Sequence, residues 1–483
     1  MGAPTASPAW QRLADLRADD ADAARNPRVE LDGLVYDFSR YALTAEILDQ
    51  LIALAESQDL AGWRARLFAG DAVNTTENRA ALHMALRADA GDTWPVLDEV
   101  LAERRRCHAF ADAVRSGGHL GASGERITDV VNLGIGGSHL GPALVCDAFA
   151  AATDAVRTHF VANVDGADLG RVLARCRPQS TLFVVASKTF TTQETLLNAG
   201  SARAWLADAL GDAAVGRHFA AVSAAPERAA DFGIPAAQVF EIWDWVGGRF
   251  SLWGAIGLPA MIALGRERFD ALLAGAREID LHFRSAPLGE NVPVLMALVA
   301  IWNRNFAGAT SHAVLPYAEA LRLLPAYLQQ LFMESLGKRI DRDGREVRYP
   351  TAPVLWGAPG TNGQHAFHQL LHQGTDTVAV DFIGFRDAVE GPDGHQRVLV
   401  AHLRAQADAL RTGRRTDEPH RECPGGRGSS LLMFDRLTPR NLGRLVALYE
   451  HQAFVQSVIW NLNAFDQFGV ELGKELANDY LTR

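Results

Sequence analysis

Short β-rich runs alternate with helical segments from residue 127 onward, and this alternation constrains the possible folds more than any other feature of the chain. The first series of candidate strands lies at Ile127 to Leu133, His159 to Val164, Thr181 to Ala186, Ala220 to Ser223 and Val239 to Ile242. A helical stretch over about residues 252–308 precedes a second series, at Ser311 to Leu315, Val354 to Trp356, Thr377 to Phe382 and Ser430 to Asp435. Such alternation is typical of parallel sheets covered by helices, so the sequence predicts an α/β protein with two α/β domains in tandem.

The two ends of the chain follow a helical pattern instead. Residues 1–115 place apolar side chains at helical spacing. Near the other end, Tyr449 to Trp460 and Val470 to Tyr480 are predicted to be amphipathic helices that dock on a core or on a partner. Residues 412–429 are rich in Gly, Pro and charge, which predicts an exposed loop.

Composition excludes several classes of function. The chain has 47 basic and 57 acidic side chains, and its net charge of −10 is of the wrong sign for a protein that grips nucleic acid or an anionic membrane over its whole surface. Acidic residues interrupt the first thirty positions, and no apolar stretch is long enough to span a bilayer. The cysteines lack the spacing of a disulfide framework or a zinc ribbon: Cys107, Cys146, Cys176 and Cys423. We therefore expect a cytoplasmic protein with no membrane or nucleic-acid partner.

Lysine is rare in this chain. Of the 47 basic residues only three are lysines, Lys188, Lys338 and Lys474. Mutational bias in a GC-rich genome is one explanation. Because arginine does not release its proton, the other explanation is that each lysine occupies a position that requires a compact or titratable ammonium.

Two segments that follow predicted strands are suited to bind an anion. In GIGGSH, over 134–139, backbone amides can approach a sugar or phosphate near Gly137 and Ser138, although a tight turn without a ligand is the alternative. This turn is an incomplete dinucleotide fingerprint, because His139 replaces the third glycine. In SKTFTTQET, over 187–195, four hydroxyls and an ammonium cluster before a helix. They form a compact anion cup, or one or two of them are helix caps.

Two further segments carry charged side chains in contexts that leave their roles open. Arg249 follows two glycines in VGGRFS, where it either reaches into a site or forms a salt bridge on a loop. Glu334, in QQLFMESLGK, has Gln330 one helical turn before it and Lys338 one turn after it. On spacing alone, an exposed Glu–Lys pair is the better interpretation.

The segment after the predicted strand at 354–356 is rich in histidine. A Gly/Pro-rich loop leads into a predicted helix that carries His365, His368 and His372 on one side. Neither an HExxH motif nor a nearby carboxylate accompanies them, so acid–base use of His365 or plain helix packing is favoured over a metal site. The last segment, FDQFGVELGK over 465–474, places a glycine before Lys474 inside a helical pattern.

Taken together and in this order, these segments closely resemble the phosphoglucose isomerase family over about residues 127–480. The matching motifs are the Gly-Gly-Ser turn, SKTFTTQET, GGRFSLWGAIG, MES-x-GK, GTNGQHAF and GVELGK. The resemblance implies two sugar-isomerase (SIS) domains, each a three-layer αβα sandwich with a parallel sheet, and a homodimer with sites at the subunit boundary. We accordingly expect a helical region over 1–115 that packs on the second domain, SIS domains over 116–285 and 286–445, and a C-terminal helical arm over 446–483.

The resemblance also implies a role for individual residues. The family's substrate-binding positions correspond to Gly137, Ser138, Ser187, Lys188, Thr189, Thr192, Gln330 and Gln467. Its catalytic positions correspond to the proton-transfer base Glu334, the ring-opening pair His365 and Lys474, and Arg249, which steadies the intermediate. Lys338 is interpreted as a structural ion-pair partner.

The implied activity is the reversible isomerisation of glucose 6-phosphate and fructose 6-phosphate through a cis-enediol(ate), in glycolysis and gluconeogenesis, with no metal and no cofactor. The residues fit that chemistry independently, because a histidine with a partner ammonium can open a sugar ring and a carboxylate can move the C2 proton. A non-catalytic sugar-phosphate-binding regulator is the alternative, although it would not need the four catalytic positions together.

The chain departs from the family pattern in three places. Leu336 stands where the family commonly has Asn, and His139 stands where it often has Asp. Residues 223–225 read Ser-Ala-Ala in place of Ser-Thr-Asn. None of these changes removes a catalytic group.

Overall fold

The computed structural model describes residues 2–18, 27–150, 156–388 and 391–482. In chain order the strands of the described residues are β1 (Arg28–Leu31), β2 (Leu34–Asp37), β3 (Asp129–Leu133), β4 (Arg157–Val161), β5 (Thr181–Ala186), β6 (Phe219–Ser223), β7 (Val239–Glu241), β8 (Ser311–Pro316), β9 (Val354–Trp356), β10 (Val378–Asp387) and β11 (Ser430–Arg436). All nine predicted strands are present, with boundaries that differ by a few residues. The α/β prediction is therefore confirmed.

The strands form two separate sheets. The first has the order β4-β3-β5-β6-β7, and all of its pairs are parallel. Its central strands β3 and β5 are buried along their whole length, as a parallel sheet covered on both faces requires. The second has the order β1-β2-β11-β10-β8-β9, and it is parallel from β11 to β9.

The N-terminal region contributes a hairpin to the second sheet, which the sequence analysis did not predict. Strands β1 and β2 pair with each other, and β2 pairs antiparallel with β11. Asp32 and Gly33 form the turn between them, and both have positive φ angles, 40° and 81°. An Asp-Gly pair between short apolar runs is a hairpin signal, so this element was predictable.

Helices cover the sheets and form both ends of the chain. Those of the described residues are α1 (Pro8–Asp15), α2 (Ala45–Ser57), α3 (Leu60–Ala69), α4 (Leu97–Ser116), α5 (Gly137–Ala148), α6 (Gly166–Leu173), α7 (Gln193–Leu210), α8 (Val215–His218), α9 (Pro226–Asp231), α10 (Leu258–Leu264), α11 (Arg266–Ser285), α12 (Val292–Ile301), α13 (Leu324–Gln329), α14 (His368–Gln373), α15 (His395–Thr412), α16 (Pro439–Ile459) and α17 (Glu471–Thr482). Two π-helical turns continue α12 and α13, at Trp302–Phe306 and Gln330–Glu334. No helix among the described residues combines the length and apolar character needed to cross a membrane.

Helix α16 differs from its prediction, because it is buried on all sides from Leu442 to Ile459 rather than amphipathic. It crosses α11 at close range through two glycines. A Cβ on Gly275 would lie 1.9 Å from the carbonyl oxygen of Arg440, and one on Gly443 would lie 2.0 Å from that of Leu272. In contrast, every described residue of α17 is exposed. The predicted domain limits stay predictions, although α16 runs without interruption through the limit drawn at residue 446.

Candidate active site

The glycine turn after β3 packs directly against the segment that carries Arg249. A Cβ on Gly137 would lie 2.0 Å from the carbonyl oxygen of Gly248, so the two backbones approach at a distance that only glycine permits. A Cβ on Gly136 would lie 3.0 Å from Nε2 of Gln330. Three sequence segments that are far apart in the chain therefore meet at the carboxyl end of β3.

The hydroxyl-rich segment follows β5, the neighbouring strand in the same sheet. Ser187 is buried and donates a hydrogen bond to Oγ1 of Thr192 at 3.2 Å, and the hydroxyl oxygens of Thr189 and Thr191 lie 2.6 Å apart. Thr192 is the residue before α7, but its side chain accepts no hydrogen bond from that helix. The capping interpretation is therefore wrong for Thr192, and the first amides of α7 face the cup without a side-chain cap.

We call Ser187, Thr189, Thr191 and Thr192 the hydroxyl cup. Lys188 connects this cup to the segment that carries Arg249. Its Nζ donates to the carbonyl oxygens of Asp244 at 3.1 Å and Val246 at 3.4 Å, and it lies 3.2 Å from Oδ1 of Asp244. The side chain also lines a cleft together with Gly248 and Gln467. The ammonium of Lys188 and the side chain of Gln467 therefore border the same cleft.

Arg249 is buried, and its guanidinium is held on several sides. Its Nε donates to Oγ of Ser335 at 2.7 Å, and its terminal nitrogens donate to Oε1 of Gln467 at 2.9 Å and to the backbone carbonyls of Ala464 and Asp466. Burial lowers the pKa of the guanidinium, and the nearby Glu334 and Asp466 oppose that shift. An arginine nonetheless stays charged, so this is a fixed buried cation.

Glu334 faces Arg249 rather than Lys338. Its Oε2 lies 3.3 Å from a terminal nitrogen of Arg249, and the side chain keeps 21% of its exposure. The predicted exposed Glu–Lys pair is therefore wrong. The physical reason is that Glu334 ends a π-helical turn and the helix stops at Leu336, so Lys338 does not lie one α-helical turn away.

Lys338 instead ties the helix end to the segment 463–466. Its Nζ lies 2.9 Å from Oδ1 of Asp466, and it donates to the carbonyl oxygens of Ser335 and Asp466 at 3.0 Å and to that of Asn463. Burial and the neighbouring Arg249 lower the pKa of Lys338 to about 8. The prediction that Lys338 is a structural ion-pair partner is confirmed, with Asp466 as the partner.

A cleft opens beside Glu334 and continues toward the hydroxyl cup. One part, with a volume of about 550 Å³, is lined by Met333, Glu334, Lys338 and Gln467. The other part is lined by Gln467, Gly248 and Lys188. Gln467 borders both parts, so the part beside Glu334 adjoins the part beside Lys188.

The N-terminal region supplies site residues that the sequence analysis missed. Asn74, Glu77 and His83 line the part of the cleft near Lys188. Thr76 donates to Oδ2 of Asp466 at 2.5 Å, which links this region to the Lys338 contacts. His83 is buried, and burial with the nearby Arg87 holds its pKa well below the usual value, so its ring is neutral. No motif in the sequence marks these residues, because only long-range packing brings 74–83 to the site.

A buried charged network lies under the site. Arg87 forms two hydrogen bonds to Asp280, at 2.6 and 2.5 Å, and one to Glu450 at 2.5 Å. Glu450 also accepts from Nε1 of Trp253 at 2.8 Å, while the hydroxyl of Tyr327 donates to the carbonyl oxygen of Arg249 at 3.3 Å. The network fixes the segment from Arg249 to Trp253 against helices α11 and α16.

We call Arg249, Gln330 and Glu334 the buried half of the candidate site, and His365 and Lys474 its exposed half. His365 and Lys474 are both exposed, and no hydrogen bond or ion pair joins either of them to the buried half within the described residues. His365 ends a 3₁₀ turn over Asn362–His365, in a loop fixed by the hydrogen bond from Gln364 to the hydroxyl of Tyr317 at 2.8 Å. One copy of the chain therefore assembles only the buried half.

The three predicted helical histidines do not form one cluster. His365 precedes α14, whereas His368 and His372 lie on it and share Oε1 of Gln406, at 3.0 and 2.8 Å. Packing therefore accounts for His368 and His372. The prediction of one helical face with three histidines is wrong, because the glycine-rich loop extends through His365.

Of the departures from the family pattern, Leu336 and His139 pack against other side chains, whereas Ala224 is exposed. Leu336 is fully buried in the hydrophobic core, where it cannot contact a ligand. His139 packs edge-on against Phe160 with ring centroids 5.7 Å apart. Ser223 donates to the carbonyl oxygen of Lys188 at 3.1 Å, which supports the hydroxyl cup from β6.

The chain is similar in sequence to proteins of a known family. Residues 37–483 match the family model described as Phosphoglucose isomerase. The glucose-6-phosphate isomerase of Burkholderia pseudomallei (strain 1106a) is 52% identical over 476 residues, which span 95% of this chain and 88% of that protein. The glucose-6-phosphate isomerase of Brucella melitensis biotype 2 is 50% identical over an alignment of 495 positions, and the match covers 97% of this chain and 90% of that protein.

A solved structure is also similar to this chain. The crystal structure of a glucose-6-phosphate isomerase from Chlamydia trachomatis superposes with a TM-score of 0.90 at 33% sequence identity, and the match covers 100% of this chain and 96% of that chain. The fold and these matches define an α/β sandwich enzyme of the isomerase class. The chain belongs to the phosphoglucose isomerase family.

Proposed function

We propose that this protein interconverts glucose 6-phosphate and fructose 6-phosphate, a step of glycolysis and gluconeogenesis. The observation that carries the proposal is the pair formed by Glu334 and the buried Arg249, 3.3 Å apart, at the wall of a cleft that reaches Lys188. A carboxylate and a fixed cation are what a proton transfer next to a carbonyl requires. A non-catalytic regulator has no use for this pair.

The phosphate group is assigned to the hydroxyl cup. Ser187, Thr189 and Thr192 supply hydroxyl donors, Lys188 supplies a charge, and the uncapped amides of α7 supply further donors. Gly137 and Ser138 lie at the end of the neighbouring strand β3, where the sugar continues from the phosphate. The cup anchors the substrate in both directions of the reaction.

The sugar end is assigned to the buried half of the site. Glu334 removes the C2 proton of the open-chain aldose and returns it to C1, and Arg249 stabilises the negative charge that develops on the enediolate oxygen. Arg249 is suited to this role because four hydrogen-bonded groups fix its position before substrate binds. Gln330 and Gln467 orient the sugar hydroxyls. None of these steps uses a metal or a redox cofactor.

Ring opening is assigned to the exposed half of the site. His365 and Lys474 are exposed and do not contact Glu334 within the described residues, so we place His365 in the site of a second copy of the chain. Helix α17 exposes Leu472, Leu476 and Tyr480, at 62%, 48% and 73% of their surface, which is the character of a surface that a partner covers. We therefore propose that the protein is a homodimer. We also propose that it is cytoplasmic and has no nucleic-acid or membrane partner.

One coupled assay tests the function. Purified full-length protein is given fructose 6-phosphate, and glucose 6-phosphate is followed through a dehydrogenase that reduces NADP. We expect turnover that EDTA does not change. Binding of fructose 6-phosphate without turnover would instead establish the regulator.

A further inference from the structure

Three side chains with nucleophilic or acid–base character meet at the amino end of the first sheet. Oδ1 of Asp129 lies 2.9 Å from Nε2 of His159, and Cys176 lies beside this pair. One ligand-type atom from each residue lies within 4.8 Å of the others. Asp129 begins β3, whereas the glycine turn of the candidate active site follows the other end of that strand. The cluster is therefore separate from that site.

A metal ion does not suit this cluster. Both oxygens of Asp129 are already occupied, because Arg157 donates to Oδ1 from Nε at 2.9 Å and to Oδ2 from a terminal nitrogen at 2.8 Å. Thr128 also donates to Oδ2, at 2.8 Å. A guanidinium bound to the carboxylate repels a cation, so the cluster is better suited to chemistry of the Cys176 sulfur than to a metal ion.

Cationic side chains lie close to Cys176 in the sequence and on neighbouring strands, and two of them are paired, Arg157 with Asp129 and Arg177 with Glu125. Cys176 stands between Arg175 and Arg177 in the sequence, and both are exposed, as is Arg157. The hydrogen bond that the ring donates to Asp129, and then the nearby Cys176, raise the pKa of His159 to about 9, so its ring is protonated at neutral pH. In a chain with a net charge of −10, this concentration of cations is local.

The other cysteines provide an internal comparison. Cys107 and Cys146 are buried, and burial raises the pKa of each thiol, to about 12 for Cys146. Cys423 is half-buried like Cys176, but its neighbours in sequence are Glu422 and Pro424. Among the described residues, only Cys176 combines accessibility with an aspartate–histidine pair.

We propose that Cys176 is a thiol-modification site at which hydrogen peroxide oxidises the sulfur and small anionic thiols then form a mixed disulfide. The sulfur attacks one peroxide oxygen, so that an S–O bond forms and the O–O bond breaks. The sulfur loses two electrons to the peroxide, and the departing hydroxide takes a proton from the imidazolium of His159 and leaves as water. A thiol such as glutathione then displaces the sulfenic oxygen as a second water molecule, and the Arg157, Arg175 and Arg177 side chains attract its carboxylates.

Alkylation rates test the proposal on the folded full-length protein. Limiting iodoacetamide is added between pH 5.5 and 9, and modification of each cysteine is followed by peptide mass spectrometry. We expect Cys176 to react at pH 7 about tenfold or more faster than Cys423. With hydrogen peroxide and a dimedone-type probe, Cys176 should be labelled first, and glutathione added together with the probe should lower that labelling by forming the mixed disulfide instead. Equal rates for Cys176 and Cys423 at pH 7 would overturn the proposal.

Variants assign the effect to the cluster. His159→Asn should lower the Cys176 rate at pH 7 to that of Cys423, and Arg157→Gln should lower it by a smaller factor. Arg348→Gln, at an exposed arginine elsewhere, should leave it unchanged. If His159→Asn does not fold, Arg157→Gln and the wild-type rates at pH 7 decide the matter. Stoichiometric zinc binding that is lost in Cys176→Ser would contradict the proposal in favour of a metal site.

Discussion

The buried and exposed halves of the candidate site are held in different ways. Arg249 is fixed by Ser335, Gln467 and two backbone carbonyls, while the helix that carries Glu334 is anchored at its end by Lys338 and Asp466. His365 and Lys474 are exposed, and Lys474 lies on a helix whose described residues are all exposed. The chain thus completes one half by its own packing and leaves the other at its surface.

The two halves differ because the proposed base needs a rigid position, whereas the exposed side chains need a second surface to complete a site. A base that moves a proton between adjacent carbons must keep its position through both transfers, and burial among fixed partners provides that. An exposed histidine and lysine become part of a site only when a second surface is brought to them. Stability and activity should therefore respond differently to substitutions in the two halves.

The largest effect is expected at Glu334. Glu334→Gln keeps the shape of the side chain but cannot accept the C2 proton, so isomerisation and exchange of that proton with solvent should both fall by about 10³-fold or more. Ring opening is assigned to the exposed half, so the variant should still bind fructose 6-phosphate and accelerate anomer interconversion. Glu346→Gln, at an exposed carboxylate paired with Arg339, is the matched control. Near-normal turnover in Glu334→Gln would contradict the proposed mechanism.

The second prediction tests whether the exposed half acts in another copy of the chain. We mix a His365→Ala chain with a Glu334→Gln chain, each expected to be inactive alone. Each heterodimer regains one intact site, so random equimolar mixing should restore about one quarter of wild-type activity. Differently tagged chains allow heterodimers to be isolated and assayed. Heterodimers without any activity would show that His365 is not shared between copies.

The third prediction separates the two lysines by the property that each controls. Lys338→Met leaves Asp466 buried without its cation, which should lower the free energy of unfolding by about 3 kcal/mol. Lys474→Met removes an exposed charge, so it should change that free energy by less than about 0.5 kcal/mol while it impairs ring opening. Urea denaturation and an anomerisation assay measure the two properties. Equal losses of stability in the two variants would contradict the different roles assigned to the two lysines.

The smallest effect is expected in the hydroxyl cup. Phosphate is bound equally in the ground and transition states, so Thr189→Ala and Thr192→Ala should raise KM by about tenfold with little change in kcat. Thr191→Ala, in the same loop but without an assigned phosphate contact, should raise KM less. Steady-state kinetics in both directions measure this split. A fall in kcat at constant KM would place these hydroxyls elsewhere in the mechanism.

Much of the fold follows from local sequence patterns. The strands at 181–186 and 354–356 have the predicted limits, because an apolar run bounded by turn residues is a local signal. The hairpin of β1 and β2 was not predicted, because its strands have only four residues each, although Asp32-Gly33 marks its turn. Helix α16 was mistaken for an amphipathic one, because its polar residues are buried in ion pairs and hydrogen bonds such as that between Arg87 and Glu450.

For the site, the residue types and their order along the chain were available from the sequence by itself. The motifs carried Ser187, Glu334 and His365, and helical spacing suggested a partner for Glu334. Tertiary structure decided which groups meet. The fold places Glu334 beside Arg249, 85 positions away in the sequence, and it pairs Lys338 with Asp466. The reason is physical: a spacing rule describes one regular helix, whereas a π-helical turn, a buried cation and the packing of residues 74–83 depend on the whole fold.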